Sequence, residues 1–235
     1  MQLNKFGLTM KSNTPTEVPQ AVHYPMPLVR VDLVLLAVHE GQLHVLLSQR
    51  QEAPFKDQWG LPGGVLRIDL DASLEAAAQR VAHERMGRSL SNLTQVVSVG
   101  GANRDPRAPW AMTVVFTSLV SVDLPTSPGK RVQALAWKTI EQMDAEGPLA
   151  FDHATLIRLA VERVREGVRD FRFPDGSIPD DFTLPELQSI SEAILGQHLD
   201  KVTFRRRIEA AHLVEPVAGV MRGGAHRPAQ VYRLR

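Results

Sequence analysis

The chain has 235 residues, of which 43% are hydrophobic and 23% are charged, and it contains no cysteine. This is the composition of an ordinary globular protein, and it excludes disulfides and thiolate metal sites. It is also compatible with a reducing cytoplasm, where we expect the protein to act. No apolar run approaches the roughly 20 residues that a membrane-spanning helix needs. The first 27 residues are polar and proline-containing, without the apolar core of a signal peptide, and predict a mobile tail.

The net charge of +1 is unevenly distributed along the sequence. Residues 201–235 contain eight lysines and arginines against two acids, so this segment carries +6 and the rest of the chain −5. A basic C-terminal segment on an acidic body indicates a polyanionic partner for that segment.

The first half of the chain predicts an α/β domain over residues 28–150. Five apolar, β-branched segments predict strands over 28–38, 43–50, 94–100, 111–122 and 131–137. Ser73 is placed to cap a central helix. That helix has apolar residues at helical spacing, namely Leu74, Ala77, Ala78, Val81 and Ala82. This order of elements favours a mixed sheet between helices.

The next segment, residues 151–182, predicts a linker made of a helix and a loop. The helix covers residues 151–170, and the loop after it is rich in proline, glycine and aspartate. We expect one apolar face on this helix, formed by Leu156, Leu159, Ala160 and Val164.

Residues 183–235 predict two helices and a β-hairpin. Thr183 and Glu186 have the spacing of a capping box, and Gly196 is placed to end the first helix. We expect the second helix to bury Val202, Ile208 and Leu213. The hairpin that follows has a basic, glycine-rich tip.

This order of elements is typical of a winged helix, whose second helix enters the major groove of double-stranded DNA. We therefore predict DNA contacts from the start of that helix and from the wing: Lys201, Thr203, Arg205, Arg206, Arg207, Arg222, His226 and Arg227. Adjacent arginines at 205–207 spread over about 200° of a helix, so some must contact phosphates or the protein's own acids. The alternatives are a solvated basic face and an RNA-binding patch.

The segment WGLPGG at 59–64, with the helix after it, resembles the Nudix hydrolase box. Arg80, Glu84 and Gly87 match the arginine, one glutamate and the closing glycine of that box. In the family, glutamates of this helix bind Mg²⁺ or Mn²⁺ and promote the hydrolysis of nucleoside diphosphates linked to another group. The resemblance therefore implies a Nudix-type fold over about residues 28–150.

Three of the four acids of the box are absent from this sequence. Ala72, Val81 and Arg85 stand in their places, and two extra residues after Gly64 break the spacing. One carboxylate is too few for two metal ions, so we predict no metal site and no catalytic residue, with Arg80 and Glu84 as vestiges of the box. The alternatives are an active ADP-ribose pyrophosphatase, and a plain turn followed by a core helix.

The two halves together resemble the NrtR family of Nudix-related transcriptional regulators. The motifs that carry the resemblance are WGLPGG, the reduced box, AFDH at 150–153, FTLPELQ at 182–188, FRRR at 204–207 and RPAQVYRL at 227–234. The resemblance implies a homodimeric bacterial repressor, often of NAD biosynthesis genes, which ADP-ribose releases from a palindromic operator. It implies no required cofactor. A regulator of the same architecture that responds to a sugar is the alternative.

In the Nudix-like half we expect the nucleotide effector to contact Arg50, Trp59, Gly63, Gly64, Arg67, Glu84, Arg104 and Trp110. An aromatic ring would stack on adenine and basic groups, including Arg107, would pair with the diphosphate. Trp59 and Trp110 could instead anchor the core or a loop, and Arg50 could pair with a nearby acid. The segment 151–153 could transmit the signal or merely cap the linker helix.

Overall fold

The computed structural model describes residues 26–145, 147–174, 177–223 and 228–235. Most of the predicted N-terminal tail lies outside these residues, as do two predicted DNA contacts, His226 and Arg227. No helix within the described ranges is long and apolar enough to cross a membrane.

Seven strands of the described chain form the larger sheet: β1 Leu28–His39, β2 Gln42–Arg50, β3 Trp59–Gly60, β4 Gly63–Val65, β5 Thr94–Asp105, β6 Ala108–Leu119 and β7 Val132–Thr139. The main order is β3-β2-β1-β6-β5, with β4 paired to β1 and β7 paired to β2. Strand β1 is antiparallel to β2 and parallel to β6, so the sheet is mixed, as predicted. Strand β5 is longer than predicted, and β6 begins three residues earlier than predicted, because the two strands continue as a hairpin until Asp105 pairs with Ala108. Strand β6 also ends three residues earlier than predicted.

Helices α1 (Leu74–Met86) and α3 (His153–Arg169) cover opposite faces of this sheet, and the short helix α2 (Ile140–Ala145) follows β7. Strand β1 is almost continuously apolar because both of its faces are buried. Leu33 and Leu35 pack with α1, whereas Val34 and Leu36 pack with α3. This alternation is what the geometry of a strand requires.

The predicted ends of α1 are confirmed. The Ser73 side chain accepts a hydrogen bond from the backbone N–H of Ala76. Gly87 ends the helix in the left-handed conformation, with φ of 67°, which glycine adopts without a steric penalty. Local sequence patterns therefore fix both ends of the box helix.

Helix α3 belongs to the same hydrophobic core as the larger sheet. Its buried face includes Ile157, Ala160 and Val164, and Ile194 of the next helix joins the same cluster. Leu159 was wrongly predicted on this face, since it is 43% exposed. It lies about 200° around the helix from Ile157, which points it away from the sheet. The division at residue 150 between a domain and a linker stays a prediction.

The C-terminal elements are β8 Phe182–Thr183, α4 Leu184–Leu195, α5 Lys201–Ala210, β9 Val214–Arg222 and β10 Ala229–Leu234. Strand β10 pairs with both β8 and β9. A small core of Phe182, Leu187, Phe204 and Ile208 holds the two helices on this three-stranded sheet. The predicted capping box of Thr183 and Glu186 is present, and Gly196 ends α4 in the left-handed conformation.

Helix α5 buries fewer of its apolar residues than predicted. Val202 was expected in the core but is 75% exposed. Phe204 and Ile208, one turn apart, define the buried face, and Val202 lies about 200° from Phe204. Leu213, also expected in the core, lies after the end of α5 and is half-buried.

Candidate functional site

A cavity of about 450 Å³ opens between the ends of β1 and β2, strand β4 and helix α1. Eight cationic residues and two carboxylates, Glu52 and Glu84, line it. Four further acids, Asp32, Asp69, Asp71 and Asp105, pair with four of the cations, which leaves an excess of two positive charges. The cationic residues are Arg30, Arg50, Arg67, Arg80, Arg85, Arg107, Lys130 and Arg131. Such a surface favours an anionic ligand with several charged oxygens.

The glycine pair lets the walls of this cavity approach one another. A β-carbon on Gly63 would lie 1.9 Å from Oδ1 of Asp32, inside a buried ion pair. A β-carbon on Gly64 would lie 2.8 Å from Cγ2 of Val81 on α1. The pair therefore has a packing role as well as a place in the wall of the cavity.

The loop before β7 forms the opposite rim by docking on the end of α1. The backbone N–H groups of Gly129 and Lys130 donate to the carbonyls of Arg85 and Glu84, at 3.0 and 2.7 Å. A β-carbon on Gly129 would lie only 2.1 Å from the Glu84 carbonyl oxygen, so the close approach requires glycine. This docking satisfies carbonyls that a helix end leaves free and brings Lys130 and Arg131 to the cavity.

The remaining acid of the box is occupied by the box arginine. Arg80 forms two hydrogen bonds of 2.7 Å with Asp71, and its Nη1 lies 3.2 Å from Oε2 of Glu84. Asp69, a further acid of this region, pairs with Arg67 at 2.7 Å. No group of acids, histidines or cysteines in the described part of the chain could hold a metal ion. The residues present therefore do not fit the metal site that the Nudix resemblance would imply.

Arg85 occupies the position next to that glutamate and faces the cavity floor. Its Nε donates to the carbonyl of Gly63 at 2.8 Å, and its Nη1 donates to the carbonyl of Lys130 at 2.6 Å. Burial holds the pKa of Arg85 below its ordinary value. The side chain is therefore fixed by neutral partners, and it forms no ion pair with a carboxylate of the described ranges, although the charge of nearby Glu84 partly opposes the effect of burial.

Arg50 is the second arginine of the cavity without a carboxylate partner among the described residues. Its Nε donates to the carbonyl of Pro54 at 2.8 Å, and its guanidinium lies 4.9 Å from the centre of the Phe151 ring. Burial, together with the charges of Arg30 and Arg107, lowers the pKa of Arg50 to about 10. It remains charged at neutral pH, in a place where a positive charge is poorly solvated.

A buried ionic cluster lies directly behind the cavity. Arg30 donates to Asp32 at 3.0 Å, and Thr113 donates to the other carboxylate oxygen at 2.7 Å. Burial opposes ionisation of Asp32, but Arg30 outweighs it with the help of its other neighbours and holds the pKa below the usual value. His153 accepts a hydrogen bond from the Leu61 N–H at 2.8 Å, and burial lowers its pKa to about 4, so it is neutral.

Phe151 joins this cluster to the start of α3. Three guanidiniums surround its ring, those of Arg30, Arg50 and Arg107, at 5.1, 4.9 and 5.8 Å from the centroid. All three arginines also line the cavity. Phe151 has a φ of 56°, a conformation that non-glycine residues adopt only when their surroundings hold them there.

The structure brings together five of the eight predicted ligand contacts: Arg50, Gly63, Gly64, Arg67 and Glu84. It does not bring the other three to this cavity. Trp59 lines a separate cavity beside Lys138. Arg104 forms a bidentate pair with Asp152, at 2.7 and 2.9 Å. Trp110 is 44% exposed and packs over Gly100.

Sequence reasoning missed Arg30, Lys130 and Arg131 as parts of this site. Arg30 could have been found, since a charged residue inside an apolar strand indicates a buried polar network. Lys130 and Arg131 depend on a contact between distant segments, which no local pattern signals.

Some of the predicted DNA-contacting residues of α5 are simply exposed to solvent, whereas others also pair with groups of the protein itself. Lys201 and Thr203 are exposed in its first turn, which Asp200 caps. Arg205 pairs with Glu209 at 2.9 Å. Arg206 is exposed and has no ion pair with any described residue.

The other predicted arginines make contacts within the protein. Arg207 turns toward α3, where it donates to the carbonyl of Arg169 at 2.8 Å and lies 4.8 Å from the Phe171 ring centre. Arg222 of the wing pairs with Glu186 at 2.6 Å. Of these predicted arginines, Arg206 is therefore the one most freely available to DNA.

The fold and the cavity define a Nudix-type domain joined to a winged helix. A model of the NUDIX domain matches residues 26–160, and a model of the NrtR DNA-binding winged helix domain matches residues 177–234. The chain belongs to the NrtR family of Nudix-related transcriptional regulators.

Similar proteins support the same assignment. The ADPR responsive transcriptional repressor NtrR of Acinetobacter baylyi is 39% identical over 215 residues, which cover 92% of this chain and 85% of that protein. NrtR of Shewanella oneidensis, in its crystal structure complexed with a 27mer DNA, is 35% identical, with a TM-score of 0.68 and coverage of 88% and 93%. The NUDIX domain of the same protein, complexed with ADP ribose, is 37% identical, with a TM-score of 0.55 and coverage of 60% and 90%.

Proposed function

We propose that this chain is a homodimeric transcriptional repressor that binds a palindromic operator through its winged helix and releases it on binding ADP-ribose. Such a regulator would act in the cytoplasm, where a bacterial chromosome lies. The family resemblance favours genes of NAD metabolism as its targets.

The match to the Acinetobacter repressor carries this proposal, because it extends across both domains of the chain. That protein is named for its response to ADPR, and the Shewanella relative is known in complexes with DNA and with ADP ribose. The cavity gives independent support, since Arg50 and Arg85, two arginines without an ion pair among the described residues, suit the diphosphate of such a ligand.

We further propose that the cavity binds its ligand without hydrolysing it. Glu84, the one glutamate that matches the box, is paired with Arg80, and Arg85 stands where a second acid is expected. Binding energy that is not used for chemistry can shift a conformational equilibrium instead.

A continuous chain of contacts supports a route from the cavity to the winged helix. Phe151 touches arginines that line the cavity and lies just before α3. Helix α3 packs on α4, where Nε of Arg165 donates to the carbonyl of Ile194 at 2.9 Å. A ligand that moves Arg50 would disturb the start of α3 and thereby alter the placement of the recognition helix.

The first test is selection of bound sequences from a random pool of duplex DNA, at physiological salt with excess competitor. Salt suppresses non-specific phosphate binding, so enrichment then reports base recognition. A two-fold symmetric site, with half-sites about one helical turn or a multiple apart, is the expected result. Recovery of no sequence would overturn the repressor proposal.

The selected DNA then serves to identify the effector. ADP-ribose is expected to release it, and DNA must weaken ADP-ribose binding by the same factor, since the two equilibria are linked. If a sugar releases the DNA and ADP-ribose does not, the proposal that ADP-ribose is the effector is overturned, while the proposed DNA-binding function remains. Conversion of ADP-ribose to AMP in Mg²⁺ or Mn²⁺ would contradict binding without hydrolysis.

A further inference from the structure

We infer that the cavity binds the diphosphate of its ligand without a divalent metal ion, because Arg50 and Arg85 supply the positive charge that a metal would otherwise bring. The inference rests on the proposed function for the identity of the nucleotide, but the diphosphate chemistry can be tested separately.

The hydrogen bonds of Arg85 hold its guanidinium as a fixed cation. Two of its nitrogens are held by backbone carbonyls, those of Gly63 and Lys130. The third, Nη2, makes no hydrogen bond with the described residues and lies 3.8 Å from the place of a β-carbon on Gly64, at the cavity wall. A guanidinium fixed in this way has one edge available for a phosphate oxygen.

Arg50 lines the same cavity and is fixed in a similar way. Its Nε is held by the Pro54 carbonyl, while Phe151 packs against its guanidinium. The charge of Arg85 is one of the influences that lower the pKa of Arg50, so the two cations repel each other. Two half-buried cations without a carboxylate partner in the described chain are stabilised most by a ligand that carries two negative charges.

The same geometry disfavours a metal ion. Mg²⁺ requires several oxygen ligands, and the two carboxylates of the cavity are already paired, Glu84 with Arg80 and Glu52 with Arg131. A divalent ion beside Glu84 would also be repelled by Arg85, the next residue of the helix. The guanidiniums therefore take over charge neutralisation and leave no activated water next to the phosphates.

Titration calorimetry of the full-length protein tests this inference, with ADP-ribose as ligand in chelator and in excess Mg²⁺. The two dissociation constants should agree within about twofold, because no metal takes part in the complex. Arg85→Gln and Arg50→Gln should each weaken binding about ten- to a hundredfold, since each removes one charged hydrogen-bond donor. Arg85→Lys, which keeps the charge, should recover part of the affinity.

Arg88→Gln is the matched control, because Arg88 is an exposed arginine just beyond α1 that does not line the cavity. It should bind ADP-ribose like the native protein. Equal losses from Arg85→Gln and Arg88→Gln would overturn the role given to Arg85. If either cavity variant fails to fold, the comparison of chelator with Mg²⁺ on the native protein still decides the question.

Inorganic pyrophosphate separates this inference from the proposed function. Binding of pyrophosphate in chelator, without binding of ADP-ribose, would support the metal-free diphosphate site and overturn the proposed effector. Binding of both ligands only with Mg²⁺ would overturn the metal-free site and leave the effector intact. Binding of neither ligand under either condition would overturn both.

Discussion

The cavity and the recognition helix both contain clustered arginines, but the two clusters differ in burial and in the groups that contact them. In the cavity, Arg50 and Arg85 are half-buried and fixed by neutral carbonyls. On α5, Arg205 and Arg206 are exposed. An unpaired charge costs little in water but a great deal when buried, so the cavity arginines are the stronger sign of an anionic ligand. An exposed basic helix needs further support, here the match to a DNA-binding domain.

The largest effect that separates buried from exposed charges is expected at Asp32. Asp32→Asn removes the nearer of two counter-charges of Arg30, which is 7% exposed, and leaves Asp105 at 4.0 Å. Removing one partner of a buried pair costs about 3–5 kcal/mol when the other charge is left alone. Because Asp105 remains near Arg30, the free energy of unfolding in urea should fall by the lower part of that range, about 3 kcal/mol.

Asp69→Asn is the matched comparison, because Asp69 pairs with Arg67 at the surface. This substitution should leave the unfolding free energy unchanged within error. Losses of similar size in the two variants would mean that Arg30 is well solvated, and burial would then not distinguish its ion pair from that of Arg67.

The next effect distinguishes two neighbouring arginines of α5. Arg206→Ala removes an exposed cation without an ion pair among the described residues, so operator affinity should fall about tenfold. The slope of the logarithm of the association constant against the logarithm of the salt concentration should become shallower by about one, because one phosphate contact is lost. Arg207→Ala should instead lower the midpoint temperature of thermal unfolding, because Arg207 contacts Arg169 and Phe171 within the protein. It should leave operator affinity nearly unchanged. Fluorescence anisotropy over a series of salt concentrations measures both affinities. The reverse pattern would place Arg207, not Arg206, at the DNA.

Much of the fold could be predicted because its signals are local. Ser73, the pair Thr183 and Glu186, and Gly196 mark helix ends through bonds and backbone angles within a few residues of themselves. The continuous apolar run of β1 likewise indicates a strand buried on both faces.

The site could be predicted only in part, because it depends on distant segments. Gly63 and Gly64 reach the cavity through the pairing of β4 with β1, and the box helix brings Glu84. Lys130 reaches it only because residues 127–130 dock on the end of α1. Trp110, given either as a ligand contact or as an anchor of the core or a loop, lies on β6 and packs over Gly100.

Val202 was assigned to the core because it is apolar, and its exposure suggests a smaller, sequence-specific effect. It projects from the first turn of α5, between Lys201 and Thr203, at the end of a recognition helix that usually contacts bases. An exposed apolar side chain at this place suits the methyl group of thymine in the major groove. Burial of one methyl group lowers the dissociation constant about fourfold.

Val202→Ala removes two side-chain carbons, so we expect operator binding to weaken about fourfold for each one that is buried against DNA, and we expect the loss to depend on one thymine in each half-site. Replacing that thymine by uracil, which lacks only the methyl group, should weaken binding of the native protein by a similar factor and leave the variant unaffected. Leu159→Ala is the control, since Leu159 is exposed on α3 and is not a predicted DNA contact. If uracil weakens binding of the native protein and of Val202→Ala by the same factor at every position, the contact with the methyl group is excluded. The loss from the substitution in the protein and the loss from the change in the DNA would then be independent.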